Sequence, residues 1–300
     1  RIVPNIGTLH IKTEMGKMVV EPCEIVVIPR GINFAVYTKD GATCRGYVCE
    51  IFNGHYEIPS LGPIGANGLA NPRDFHTPKA WFEDVDAAFL VTNKYGGKLF
   101  TSHMTHSPFN VVAWHGNYYP FKYDLRLFNT MNTVSYDHAD PCIFTVLTCP
   151  TNEAGVAVCD FVIFPPRWMV AENTFRPPYY HRNVMSEFMG MVWGKYDAKA
   201  VEADDGSKKK KGFLPGGSSL HLCMTPHGPD AATFENASDT SKGAQMPVYQ
   251  GDGLAFMFET TRILKIAPSA MRLERREVAY SDCWQKLPKL FNGDINAGKK

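Results

Sequence analysis

The chain lacks any apolar run long enough to cross a bilayer as a helix, and it lacks the charged-then-apolar leader of a secreted protein. It lacks a charge of one sign: 31 Lys and Arg stand against 30 Asp and Glu, a net of +1, with no face-long basic stretch for a nucleic acid. It lacks a C-x-x-C pair, its eight cysteines (Cys23, Cys44, Cys49, Cys142, Cys149, Cys159, Cys223 and Cys283) being scattered through a chain too large to need disulfide staples. That distribution favours reduced thiols and a cytoplasmic setting. The triplet Asn236-Ala237-Ser238 matches a glycosylation acceptor, but such triplets arise often by chance and mean nothing outside the secretory route. An initiator methionine is also missing: Arg1-Ile2-Val3-Pro4 reads as the middle of a β-rich segment, as expected of a fragment whose N-terminal part precedes Arg1. What remains is a soluble protein of one large or two ordinary domains, with no nucleic acid and no membrane as partner and a small organic ligand as the better fit.

What the chain does hold is punctuated β-pattern. Between Gly7 and Thr38, TLHIKTEMGKMVV and EIVVIPRGINFAVYT cluster β-branched and aromatic residues between Gly and Pro, so short strands are expected with turns at Met15-Gly16 and Arg30-Gly31. RGYVCEIFNGHYEI continues the rhythm. LGPIGANGLANPRD, 61–74, has almost no apolar periodicity and reads as a long ordered loop or seam. Lys79–Lys98 is acidic and then apolar, a pattern that allows a short helix before another strand. A domain boundary is expected between 101 and 106, giving a β domain over 1–104 and a second domain over 105–300. CIFTVLT and VAVCDFVIFPPRWMV read as buried strands, LAFMFETTRIL as another, and CWQKLPKLF allows a short surface helix. The charged run VEADDGSKKKKG, with Lys208–Lys211, reads as an exposed loop.

The chemistry concentrates between Phe175 and Asp230. His181 and Glu187 stand six apart in YYHRNVMSEFMG, and His221 and His227 follow some forty residues later. Two imidazoles and one carboxylate on one face of a metal leave three positions open, which suits ferrous iron holding an organic substrate and dioxygen together. The prolines at 165–166 and 177–178 rule out a continuous helix up to His181. The pair therefore projects from strand and turn backbone and cannot be the helical H-E-x-x-H zinc motif, whose histidines are four apart. Spacing alone does not choose between His221 and His227. Arg182 and Asn183 lie between the first two ligands and could orient substrate or water. His115, in VVAWHGNYY, is either a packed, hydrogen-bonded histidine or a general base whose ordinary pKa near 6.5 lets it take a phenolic proton. Tyr196, after a glycine turn, is either packing or a phenol facing a substrate carboxylate. Asp137, His138 and Asp140 in SYDHADP are too closely spaced to leave an open face, and Asp-Pro favours a turn.

YYHRNVMSEFMG, LPGG, MTPHGPD, WHGN and GPIGANGLANPRDF together resemble the homogentisate 1,2-dioxygenases, and the resemblance runs over nearly the whole chain. It implies a mainly β fold, a cupin-type jelly-roll β-sandwich beside the remainder of a truncated N-terminal β domain. It implies Fe(II) held by His181, Glu187 and His227, substrate bound by Tyr196 and His227, and His115 as proton acceptor. The implied reaction takes homogentisate and O2 to 4-maleylacetoacetate in tyrosine and phenylalanine catabolism, carried out by a hexamer built as a dimer of trimers. Two other classes stand beside it. A different cupin metalloenzyme, such as a sugar-phosphate isomerase, would use similar ligands without a phenol-deprotonating histidine. A metal-free β-sandwich binding protein would need none of the triad.

Overall fold

The computed structural model describes residues 1–60, 70–113, 116, 118–130, 144–169, 180–196, 212–239, 241, 246–290 and 293. The described chain is mainly β, and its named strand pairs are all antiparallel. In the first part these are β1 (Ile2–Ile6), β2 (Leu9–Thr13), β3 (Gly16–Val20), β4 (Glu24–Val27), β5 (Phe34–Thr38), β6 (Arg45–Val48), β7 (Phe75–His76), β8 (Phe89–Tyr95), β9 (Lys98–Met104) and β10 (Phe121–Asp124). The short strands expected from Gly7 to Thr38 are present, with β2 and β3 joined by a two-residue turn at Glu14-Met15 that Gly16 closes as the first residue of β3. Their alternation follows from the side chains: in β3, Met18 and Val20 are buried while Lys17 and Val19 point to solvent.

The second part holds β11 (Thr145–Pro150), β12 (Ala157–Phe164), β13 (Arg167–Met169), β14 (Ser186–Gly194), β15 (Ser218–His221), β16 (Val248–Gln250) and β17 (Gly253–Thr260). One short helix, α1 (Ala231–Ser238), lies between β15 and β16 and another, α2 (Pro268–Met271), follows β17; a 3-10 turn at Tyr280–Trp284 reaches only the first two residues of the CWQKLPKLF tail, and 285–290 form no helix. Two five-stranded sheets dominate, ordered β6-β1-β4-β10-β7 and β11-β12-β17-β14-β15. They share one core. Val3, Ile25 and Tyr123 of the first sheet pack with Phe161, Ile163, Phe256 and Phe258 of the second. Each such buried side chain contributes about 1.5–3 kcal/mol. Phe256 sits at the centre, its ring 4.8 Å from Tyr47, 5.7 Å from Phe161 and 5.2 Å from Phe258.

The second sheet is buried on both faces, which is why its strands read as unbroken apolar runs. The residues between those core positions, Val162, Phe164, Met189, Met191, Ala255 and Met257, form a second cluster on the opposite face with Phe144 and Phe213. The period of two matters for function, because Glu187 and Glu259 fall in phase with Met189 and Met257 and so belong to that second face. β14 is held from behind as well. Tyr47 donates to the carbonyls of Met191 and Gly217 at 3.0 and 2.8 Å, and Arg45 reaches Asn5 and the Pro215 carbonyl. Gly216 favours glycine because its φ is +82°, in the left-handed region, while the guanidinium of Arg45 lies against its open side.

The short helix allowed between Lys79 and Lys98 does not form. The chain from 79 to 88 forms no helix or strand and is held by distant partners, with Trp81 donating to the Thr13 carbonyl at 2.8 Å, the Glu83 amide to the Phe109 carbonyl and the Ser107 amide to the Val85 carbonyl. Long-range backbone bonds satisfy the groups a helix would have paired internally. Among the described residues no helix is long and apolar enough to cross a membrane.

Candidate metal centre

His181 and His227 come from segments forty-six positions apart and meet as a two-residue β-bridge. His181 N donates to His227 O at 2.8 Å and His227 N donates to His181 O at 2.9 Å. The local sequence explains the approach. A turn closed by Thr225 N on Leu222 O, with Met224 at φ +61°, redirects the chain after β15, and Met224 N bonds back to Asn183 O. Beyond His227, Asp230 caps α1 by accepting from Thr233 N at 2.7 Å, which fixes the exit. Glu187 is the second residue of β14, with His221 of β15 on one side and Glu259 of β17 on the other as cross-strand partners.

One donor atom each from His181, Glu187 and His227 lies within 4.8 Å of the other two. Glu187 and His227 are buried, at 5% exposure each. His227 Nδ1 stands 2.9 Å from the Thr225 carbonyl, which can only accept, so Nδ1 carries a proton there and Nε2 is the ring nitrogen turned toward the carboxylate. Nε2 lies 2.8 Å from Glu187 Oε2, too close for two bare acceptors. Two acceptors so close require a cation between them or a proton that makes the imidazole positive. Ligands about 2.0–2.2 Å from one metal and at right angles to each other stand about 3 Å apart. The donor set therefore fits a divalent metal, with the backbone carbonyl fixing the histidine tautomer as a metal ligand requires. Burial alone would push the Glu187 carboxyl up; hydrogen bonds from His227 and Asn183, with the nearby imidazoles, outweigh it and hold Glu187 below the usual range.

Asn183 is the organiser of the acidic side. Its Nδ2 donates to Glu187 Oε1 at 2.8 Å and to Glu259 Oε1 at 3.0 Å, while its Oδ1 accepts from Met185 N. Arg182 points to solvent. His221 lies flat on His227, ring centroids 4.0 Å apart at 5°, and its Nε2 bonds Tyr280 Oη at 3.0 Å. Glu259 carried a legible signal, an acid in phase with the inward apolar residues of LAFMFETT. Tyr280 carried none.

The structure thus brings together His181, Glu187 and His227 and places His221 beside them. It does not bring Tyr196 to the triad. Tyr196 follows the far end of β14, so at about 3.3 Å per residue the length of that strand lies between it and Glu187. Its ring packs edge-on to Phe164 and Phe213, at 5.8 and 5.7 Å. His115 lies outside the described residues, as do 61–69, Asp137, His138, Asp140 and Lys208–Lys211. Gly116, beside His115, lines a separate cavity of about 450 Å³ with Tyr56, Glu57, Phe75, Tyr119 and Phe121, and none of the triad borders it.

Comparison with known proteins covers the chain almost end to end. Residues 1–125 match the family model described as homogentisate 1,2-dioxygenase N-terminal, and residues 126–291 match the one described as homogentisate 1,2-dioxygenase C-terminal. A curated relative named homogentisate 1,2-dioxygenase, from Oryza sativa subsp. japonica, is 56% identical over 294 residues. That alignment takes in 98% of this chain and 60% of the relative, so the chain spans about three fifths of the relative's length. Among solved structures, protein Ylba from E. coli aligns over 88% of this chain and 69% of its own, with a TM-score of 0.31 and 9% identity, too low to carry an argument.

Proposed function

The chain belongs to the homogentisate 1,2-dioxygenase family, and on that premise we propose that it forms the catalytic part of an Fe(II)-dependent ring-cleaving dioxygenase converting homogentisate and O2 to 4-maleylacetoacetate. The single observation that carries the metal reading is the convergence of His181, Glu187 and His227, with one donor atom of each within 4.8 Å of the others and His227 Nε2 2.8 Å from Glu187 Oε2. His181, Glu187 and His227 would hold the iron, which when bound supplies the redox chemistry that lets a phenolic ring and dioxygen react side by side.

The rest is the work of the chain's own residues. Asn183 holds Glu187 in one rotamer, so the carboxylate need not reorganise as substrate enters. The apolar face formed by Met189, Met191, Met257 and Phe213 keeps water from that side of the site. His115 accepts the proton of the substrate phenol and returns it after ring opening, a role resting on the matching WHGN motif. His227 acts on the substrate on the resemblance of the motif, and the same resemblance gives Tyr196 a hydroxyl contact with substrate although it stands a strand's length from Glu187. We assign the complete protein to the cytoplasm, to tyrosine and phenylalanine breakdown, and to a hexamer of paired trimers on the same family grounds.

The test is to load the chain anaerobically with ferrous iron, add homogentisate, and follow oxygen uptake and the ring-opened product. One O2 consumed per product formed supports the proposal. Stoichiometric iron with no oxygen uptake on homogentisate overturns it.

A further inference from the structure

After β17 the chain leaves the sandwich and runs across the surface. Ile263, Leu273 and Val278 are 73%, 64% and 78% exposed. It comes back to the body at the Tyr280–Trp284 turn, and the anchor point is the metal centre. Tyr280 Oη bonds His221 Nε2 at 3.0 Å, and Trp284 Nε1 donates to the carbonyl of Gly228, the residue after His227, at 3.0 Å. Trp284 also stands edge-on to Tyr180, the residue before His181, with centroids 5.8 Å apart. One turn therefore touches the neighbours of both histidine ligands.

The His227 ring is held at Nδ1 by Thr225 O and at Nε2 by Glu187 Oε2, and two in-plane contacts still leave its tilt about the line joining them to whatever packs on the ring face. The flat contact with His221 blocks that tilt on one side. His221 can serve as a wall only while its own ring is held parallel, and the bond to Tyr280 does so from the opposite edge. We propose that Tyr280 is a positioning residue for the metal ligand His227, acting through His221, so that the C-terminal segment sets the geometry of the metal centre. The inference rests on the reading of His181, Glu187 and His227 as metal ligands. It assigns Tyr280 no contact with substrate.

The experiment uses the 300-residue chain, Co(II) alone as probe, and the variants Tyr280→Phe, His221→Ala and their combination. Tyr280→Phe removes one oxygen, and Co(II) should bind about tenfold more weakly, the low end of what outer partners of metal ligands contribute. In the His221→Ala background the same change should add nothing. In the metal-free chain the His227 Nδ1 proton should give a sharp resonance that broadens in Tyr280→Phe, with the thermal midpoint unmoved, a pattern that a general loss of stability would not produce. Co(II) affinity within twofold of the parent, or a full tenfold loss persisting in the His221→Ala background, overturns the inference. If Tyr280→Phe fails to fold, His221→Ala alone decides, and parental Co(II) affinity in that variant overturns it. A parent chain that binds no Co(II) sinks the metal reading, and the His227 resonance then decides the positioning by itself.

Discussion

Glu187 and Glu259 stand directly opposite each other on β14 and β17, and a single nitrogen, Asn183 Nδ2, donates to both. Both acids are buried, at 5% and 8% exposure, on the face that also carries Met189 and Met257. Like charges paired across a sheet repel, and the amide offsets only part of that. A cation beside Glu187 would turn the repulsion into attraction.

Glu259→Gln should accordingly stabilise the metal-free chain, by about 0.2–1 kcal/mol at neutral pH. Denaturant unfolding at pH 7 and at progressively lower pH reads it, since the gain should fade as acid neutralises the pair in the parent. A loss of stability at pH 7 would mean that Glu259 is needed as the acceptor for Asn183 more than it is resented as a charge.

Gly190, in the middle of β14, tests the shared core. A Cβ there would stand 2.3 Å from Phe256 Cζ and 3.0 Å from Tyr47 Cε1, so Gly190→Ala forces two packed rings to move. The expected cost is about 1–3 kcal/mol in denaturant unfolding. Adding Phe256→Leu should recover part of it if the clash is the cause, and a purely additive pair would place the cost elsewhere.

Much of this was legible in the chain, and the exceptions have physical reasons. Strands announced themselves because β-branched and aromatic runs lay between Gly and Pro, and β12 and β17 read as unbroken apolar stretches because both their faces are covered. His181, Glu187 and His227 were legible as ligand types, but the choice of His227 over His221 came from resemblance. The geometry now gives a reason: His227 has its Nδ1 tied to a carbonyl, whereas His221 spends its Nε2 on Tyr280. The segment before β8 misled because its acidic-then-apolar pattern says nothing of Thr13 and Phe109, whose carbonyls hold it. Tyr280 was invisible for the same kind of reason, its partner lying fifty-nine residues away with no periodicity between.

Tyr196→Phe keeps the ring between Phe164 and Phe213 and removes only the hydroxyl, so the fold should be unaffected. Calorimetric affinity for homogentisate should weaken by about 0.5–1.5 kcal/mol, or up to about 3 if the lost partner is a charged carboxylate. Unchanged affinity would return Tyr196 to packing alone.

Glu187→Ala should abolish tight binding of ferrous iron while far-UV circular dichroism stays that of the parent. The metal-free parent supplies a second readout. Because the Glu187 carboxyl is held below its ordinary range, its pairing with His227 and Asn183 adds stability that is present above that range and lost as pH falls through the lowered value. The Ala variant lacks that acid-labile increment. Full iron content with parental activity in the variant would remove Glu187 from the centre.

The assignment of His115 turns on a proton. His115→Gln keeps approximate size and a hydrogen-bonding amide but cannot accept a proton near neutral pH, so the variant should still take up ferrous iron and homogentisate. General-base assistance is worth about 10²–10⁴ in rate, and turnover should fall by something of that order. The pH profile is the sharper test. In the parent, activity should decline as pH drops through the titration of an imidazole, ordinarily near 6.5, because the imidazolium cannot take the phenolic proton; in the variant that acid limb should vanish or move. Steady-state oxygen consumption against pH, with iron measured on the same samples, separates the outcomes. Loss of iron together with activity would make His115 a ligand or a support for one, and normal turnover would mean that the phenolic proton leaves by another route.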